Sequence, residues 1–238
     1  MLKKVFYSSF VSCMALVFAL PLAAQSKENA AKLPAEEVAV GTLSNGLVEL
    51  RMDTQAGTYD LIDVARNEAF VKDAEVVLTV ASYRELVDVK EGDSEGDGPS
   101  RVYRSSAASN RTESEFFTSA LGTGRAVTLI STFGQDAELR VRFTLYPGQR
   151  FVDVGWTCRN GGVEPVRLRR MSVMHTDQIL PASNHSDLKM LNGDSGGRMN
   201  RLFVHEKIRA ENNILYFIAD RDQPRSLVMG GLTYADYR

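Results

Sequence analysis

Hydrophobic and polar residues alternate strictly between Glu138 and Tyr146, where Leu139, Val141, Phe143 and Leu145 interleave with Arg140, Arg142 and Thr144. Period two marks a strand with one face on a core and the other in water. Pro147-Gly148 interrupts the pattern. Val152, Val154, Trp156 and Cys158 then form a second apolar face, which ends at Asn160-Gly161-Gly162. Val166 to Met174 returns as a third strand, so the segment predicts an antiparallel meander. Within that third strand Val166 and Leu168 share one phase, and Met171 and Val173 share the other. A β-bulge near Arg169-Arg170 would return both pairs to the core; two short strands would give the same slip.

The same reading extends along the chain. Val48, Leu50 and Met52 alternate with Glu49, Arg51 and Asp53, and Thr58 to Val64 follows Ala56-Gly57 as the second arm of a hairpin. Val76 to Tyr83 is apolar and β-branched, and Leu121-Gly122-Thr123-Gly124 joins Glu115–Ser119 to Arg125–Phe133. Arg201–Lys207, Ile214–Ala219 and Ser226–Tyr234 complete the series. About a dozen strands without a long helical pattern predict an all-β fold, a large antiparallel sandwich of two sheets. Lys90–Ser100, acidic and Gly-rich, and Thr176–Asn200 read as long loops. Loops of that length in a compact domain are usually functional or disordered.

The N-terminus changes the picture of where the fold begins. Lys3 and Lys4 precede an apolar run from Val5 to Leu20, and Pro21-Leu22-Ala23-Ala24 has the small residues of a processing site. This predicts a secretory signal over residues 1–24 and a periplasmic or extracellular product. The run is shorter than the ~20 residues of a membrane span, so no membrane association is expected after cleavage. Residues 25–37 read as a linker and 38–238 as the β domain. Cleavage removes Lys3, Lys4 and Cys13, leaving 26 basic against 30 acidic residues and a single cysteine, Cys158. An acidic balance offers no footprint for nucleic acid. One cysteine allows no internal disulfide, and its place beside Trp156 predicts a buried thiol.

The motifs that suggest chemistry are better explained as turns and core. Gly193-Asp194-Ser195-Gly196-Gly197 spells the nucleophile segment of chymotrypsin-like proteases, but His175, His185 and His205 lack the sequence context of that family's base. Asp93 to Gly98 begins like a calcium loop, yet Arg104 stands where the bidentate acid belongs. The histidines lack metal-ligand spacing, so no metal or other cofactor is expected. Trp156 shares the phase of Val152 and Val154, which favours core over a sugar platform. Asn110-Arg111-Thr112 and Asn184-His185-Ser186 match glycosylation sequons.

Phe143-Thr144-Leu145-Tyr146-Pro147-Gly148-Gln149-Arg150-Phe151-Val152, continuing through Asn160-Gly161-Gly162 to Arg170, resembles the N-terminal β-supersandwich of α-galactosidase-type glycoside hydrolases. Family 36 and its raffinose-synthase-like relatives are nearest in style, and galactose mutarotase-like domains share the architecture. Leu43 to Leu50 resembles the first strands of such domains, and Ile214–Arg221 with Ser226–Thr233 resembles the last. The resemblance implies a carbohydrate partner, galactoside-type in the first instance. In such enzymes the catalytic carboxylates lie on a (β/α)₈ barrel that follows this domain, so no residue here inherits a catalytic role. The expected job is to pack on that barrel and shape the mouth of its sugar pocket. Asn192, Asp194, Arg198 and Asn200, in the Thr176–Asn200 segment, are the candidate sugar-binding residues. Two other readings remain: a stand-alone carbohydrate-binding or structural module, and a mutarotase-like epimerase using His175, or His205 with Glu206, as acid and base.

Overall fold

The computed structural model describes residues 14–17, 41–82, 100–180, 188–193, 199–203, 215–220 and 226–231. The strands, in chain order, are β1 Met14–Val17, β2 Thr42–Ser44, β3 Val48–Asp53, β4 Thr58–Asp63, β5 Glu68–Ser82, β6 Ser100–Arg104, β7 Ser109–Ser119 and β8 Gly122–Phe133. They continue as β9 Ala137–Leu145, β10 Phe151–Asn160, β11 Val166–His175, β12 Gln178–Ile179, β13 Leu188–Gly193, β14 Met199–Phe203, β15 Leu215–Asp220 and β16 Ser226–Gly231. A 3₁₀ turn, Ser105–Ala107, joins β6 to β7. The expected all-β architecture is present: a nine-stranded sheet in the order β14-β13-β15-β16-β1-β10-β9-β8-β7 faces a seven-stranded sheet built on β11-β5-β4-β3-β2, with β6 and β12 also paired to β5.

The core lies between the sheets. Leu139, Val141, Phe143 and Leu145 of β9 and Val152, Val154 and Trp156 of β10 are all buried, as their alternation predicts. Leu43, Leu50, Leu61, Val76 and Leu78 meet them from the other sheet. The Tyr59 ring packs on Phe143 with centroids 4.8 Å apart, and its hydroxyl donates to the Val173 carbonyl at 2.8 Å. Each such buried side chain contributes about 1.5–3 kcal/mol by leaving water.

Three polar anchors fix the sheets on one another. Asn45 Oδ1 accepts from the N–H groups of Leu47 and Val48, while its Nδ2 donates to the carbonyls of Tyr146 and Gln149 in the β9–β10 turn. Ser105, fully buried, donates to the Gly57 carbonyl at 2.6 Å and accepts from Val76 N–H at 2.9 Å. Asn110 on β7 donates to the Ser105 carbonyl and accepts from Ser131.

The structure corrects the sequence reading in several places. β11 does not continue a meander: it pairs with β5, so the chain crosses from one sheet to the other after Asn160. Asn160-Gly161-Gly162 is therefore the start of an inter-sheet crossing. Gly161 N–H donates to the Asp136 carbonyl at 2.7 Å, against the β8–β9 turn. The register of β11 does slip between Leu168 and Arg170, as a bulge requires, within one continuous strand. The bulge does not bury both apolar pairs. Met171 and Val173 pack on the core, but Val166 and Leu168 remain 40% and 38% exposed. β5 begins at Glu68, well before Val76, because Asp73 adopts φ 51° and gives its N–H to Asp60, carrying the strand through a kink that reads as a break.

One further strand was not expected. Met14–Val17, inside the predicted signal, lies hydrogen-bonded between β10 and β16, with Leu16 opposite both Val152 and Met229. The loop expected at Lys90–Ser100 falls outside the described residues apart from Ser100, as does the linker.

Candidate functional site

The expected sugar-binding loop is not a single loop. Within Thr176–Asn200, β12 and β13 are strands and β14 begins at Met199. Asn192 and Asn200 stand directly opposite each other in the β13–β14 pair, at the outer edge of the nine-stranded sheet. Asp194 and Arg198 lie outside the described residues. The hairpin thus brings two of the four candidates together. Gly193 ends β13, and Asp194 to Gly197 of that glycine-rich string lie outside the described residues.

A second polar site is formed on the outer face of the nine-stranded sheet. Alternation turns Arg140 and Arg142 away from the core, and strand register aligns them with residues of three neighbouring strands. Glu113, Thr128, Arg142 and Gly155 form one row across β7, β8, β9 and β10. Arg111, Ile130, Arg140 and Thr157 form the next. Gly155 leaves a hollow at the end of its row, and the Arg142 guanidinium lies over it: a Cβ there would sit 3.1 Å from Nη2. The result is an open groove of about 310 Å³ between Glu113, Glu115, Thr128, Arg140, Arg142 and Thr157.

The electrostatics of the groove are balanced. The Arg142 guanidinium carbon lies 3.5 Å from the centre of the Phe117 ring, which fixes the side chain by cation–π contact. Its Nε is buried and has no hydrogen-bond partner among the described residues, and neither has Thr144 Oγ1 two residues along β9. Arg140 Nε donates to Glu138 at 2.8 Å, and Nη1 lies 3.7 Å from Glu113. That hydrogen bond, reinforced by nearby arginines and opposed by partial burial, holds the Glu138 carboxyl below its ordinary range. Two carboxylates and two guanidinium groups line the groove itself.

Sequence reasoning missed this groove because its walls come from four strands and only pairing aligns them. One signal was visible: Gly155 is an isolated glycine in a strand pattern, a mark of close approach.

Other candidates resolve more simply. Trp156 is 8% exposed and belongs to the core. Cys158 is half-buried, and burial pushes its thiol above the ordinary value, which keeps it a poor nucleophile. His175 lies 3.9 Å from Glu75, whose carboxylate already contacts Arg104 and Ser106. His205, Glu206 and the calcium-like segment lie outside the described residues. The Asn110 amide nitrogen donates to two carbonyls, so a glycan there would break the anchor between the sheets. No cluster of metal-ligating side chains occurs among the described residues. Among them, no helix is long and apolar enough to cross a membrane.

The remaining feature is the side of β11 that no strand among the described residues pairs. Val163 at the crossing is 99% exposed, and Val166 and Leu168 continue the apolar line along this edge strand, interleaved with exposed Arg167 and Arg169. No protein-family model, curated protein or solved structure matches the chain.

Proposed function

We propose that this chain is the exported N-terminal β-sandwich of an α-galactosidase-like glycoside hydrolase. It packs on a catalytic barrel, helps shape the sugar site there and supplies no catalytic carboxylate itself. The observation that carries this reading is the β11 edge, with Val163, Val166 and Leu168 exposed on a strand that pairs on one side only among the described residues. An edge strand with apolar side chains is an aggregation hazard unless something covers it. A packed domain provides that cover. The test is the mass of the native protein in its source, by immunoblot and intact mass spectrometry. The expected species exceeds this chain by at least a barrel of ~250 residues. A species at or below the 26.3 kDa of the chain would overturn the proposal.

The groove on β7–β10 favours a second reading, a stand-alone carbohydrate-binding module. Retention of an oligosaccharide by a native species no larger than this chain would select it.

A further inference from the structure

We infer that the groove over Gly155 is a binding site for a neutral, hydroxyl-rich ligand, a mono- or oligosaccharide, held between Arg142 and the Glu113–Glu115 wall. Charge balance sets the class. Two carboxylates disfavour a phosphate or carboxylate ligand, and two guanidinium groups disfavour a cation. A sugar hydroxyl suits both walls, because its O–H donates to a carboxylate while its oxygen accepts from a guanidinium. Thr128 and Thr157 add hydroxyls of either sense between them. The geometry supplies the other requirements. Gly155 leaves room above the sheet for the Arg142 guanidinium, and Phe117 holds that group in place before any ligand arrives. Phe117 is covered by Arg142, so a sugar ring meets the groove through its hydroxyl edge and not by stacking. Only the choice of galactosides among the probes rests on the glycosidase reading, and the site stands with or without a barrel.

The experiment titrates the full chain, labelled with ¹⁵N, with raffinose, melibiose, maltotriose and cellotriose, and separately with inorganic phosphate. At least one neutral sugar is expected to shift the amides of Thr128, Gly155 and Thr157 while leaving those of the β13–β14 hairpin in place. Arg142→Met should weaken that binding about tenfold or more, the loss of one charge-assisted hydrogen bond. Gly155→Val, whose side chain would displace the Arg142 guanidinium, should abolish it. The amide spectrum of each variant reports whether the sheet is intact, and Glu115→Gln on the exposed wall gives a milder second variant, expected to weaken binding without altering the fold. Absence of groove shifts with all four sugars overturns the inference. So does binding that survives both Arg142→Met and Gly155→Val, or phosphate binding tighter than every neutral sugar. These outcomes are separate from the native mass, which tests the barrel alone.

Discussion

β9 and β11 carry the same kind of sequence pattern and meet opposite fates. Both alternate apolar and basic residues. β9 lies between β8 and β10, under the facing sheet, and its apolar set is at most 7% exposed. β11 lies at the edge, and its first apolar pair stays about two-fifths exposed although the bulge re-phases the second pair onto the core. Alternation states that two faces differ. It does not state what lies across from either of them. Burial is decided by the neighbours, and the part of β11 after its bulge packs on the core while the part before it stays exposed.

The sharpest way to break this comparison is to truncate apolar residues on each strand. Phe143→Ala removes a fully buried ring and its contact with Tyr59, and should cost about 3–5 kcal/mol in chemical unfolding. Val166→Ser and Leu168→Ser should each change stability by less than about 0.5 kcal/mol in the isolated chain. An equal loss on β11 would mean that its outer half packs on something in the chain itself, and the docking reading would lose its footing.

The crossing that separates the two strands can be tested next. A Cβ at Gly161 would lie 2.1 Å from the Gln135 carbonyl oxygen, which is backbone and cannot step aside cheaply. Gly161→Ala should therefore destabilise by roughly 1–3 kcal/mol, with loss of amide protection at Gly161 and Asp136. If stability is unchanged, the crossing is not seated on the β8–β9 turn.

Much of the fold was legible. Leu139 to Leu145 and Val152 to Trp156 gave strand, face and core, because both strands are central and their burial follows period two. The two-sheet architecture followed from the number of strands and the glycine-marked turns. Sheet membership was not legible, since Asn160-Gly161-Gly162 is equally good chemistry for a hairpin and for a crossing. The apolar run containing Met14–Val17 reads as a leader by composition, and composition alone does not reveal that β10 and β16 leave room for a strand between them. Of the candidate site, the sequence offered Asn192 and Asn200, which register does bring together. It could not offer the row Glu113, Thr128, Arg142 and Gly155, whose members are scattered over four strands and meet only through pairing.

The smallest effect concerns the outward face of β9, where polar residues are organised and not merely solvated. Arg140 holds the Glu138 carboxyl below its ordinary range through their hydrogen bond, with Arg111 and Arg159 adding to the pull. A carboxyl whose folded value is depressed contributes stability that is fully present above its unfolded value and fades as pH falls through the folded one. Glu138→Gln should thus be slightly less stable than the parent at neutral pH and equal to it well below the carboxylate range. The side chains of Arg140 and Glu138 are 43% and 25% exposed, so solvent screening limits the difference to about 0.2–1 kcal/mol. High salt should shrink it further. Urea unfolding of both proteins across the acidic range would show two curves converging from above. Parallel curves would mean that the pair is geometry without energy, and that the face bordering the groove is organised by the sheet alone.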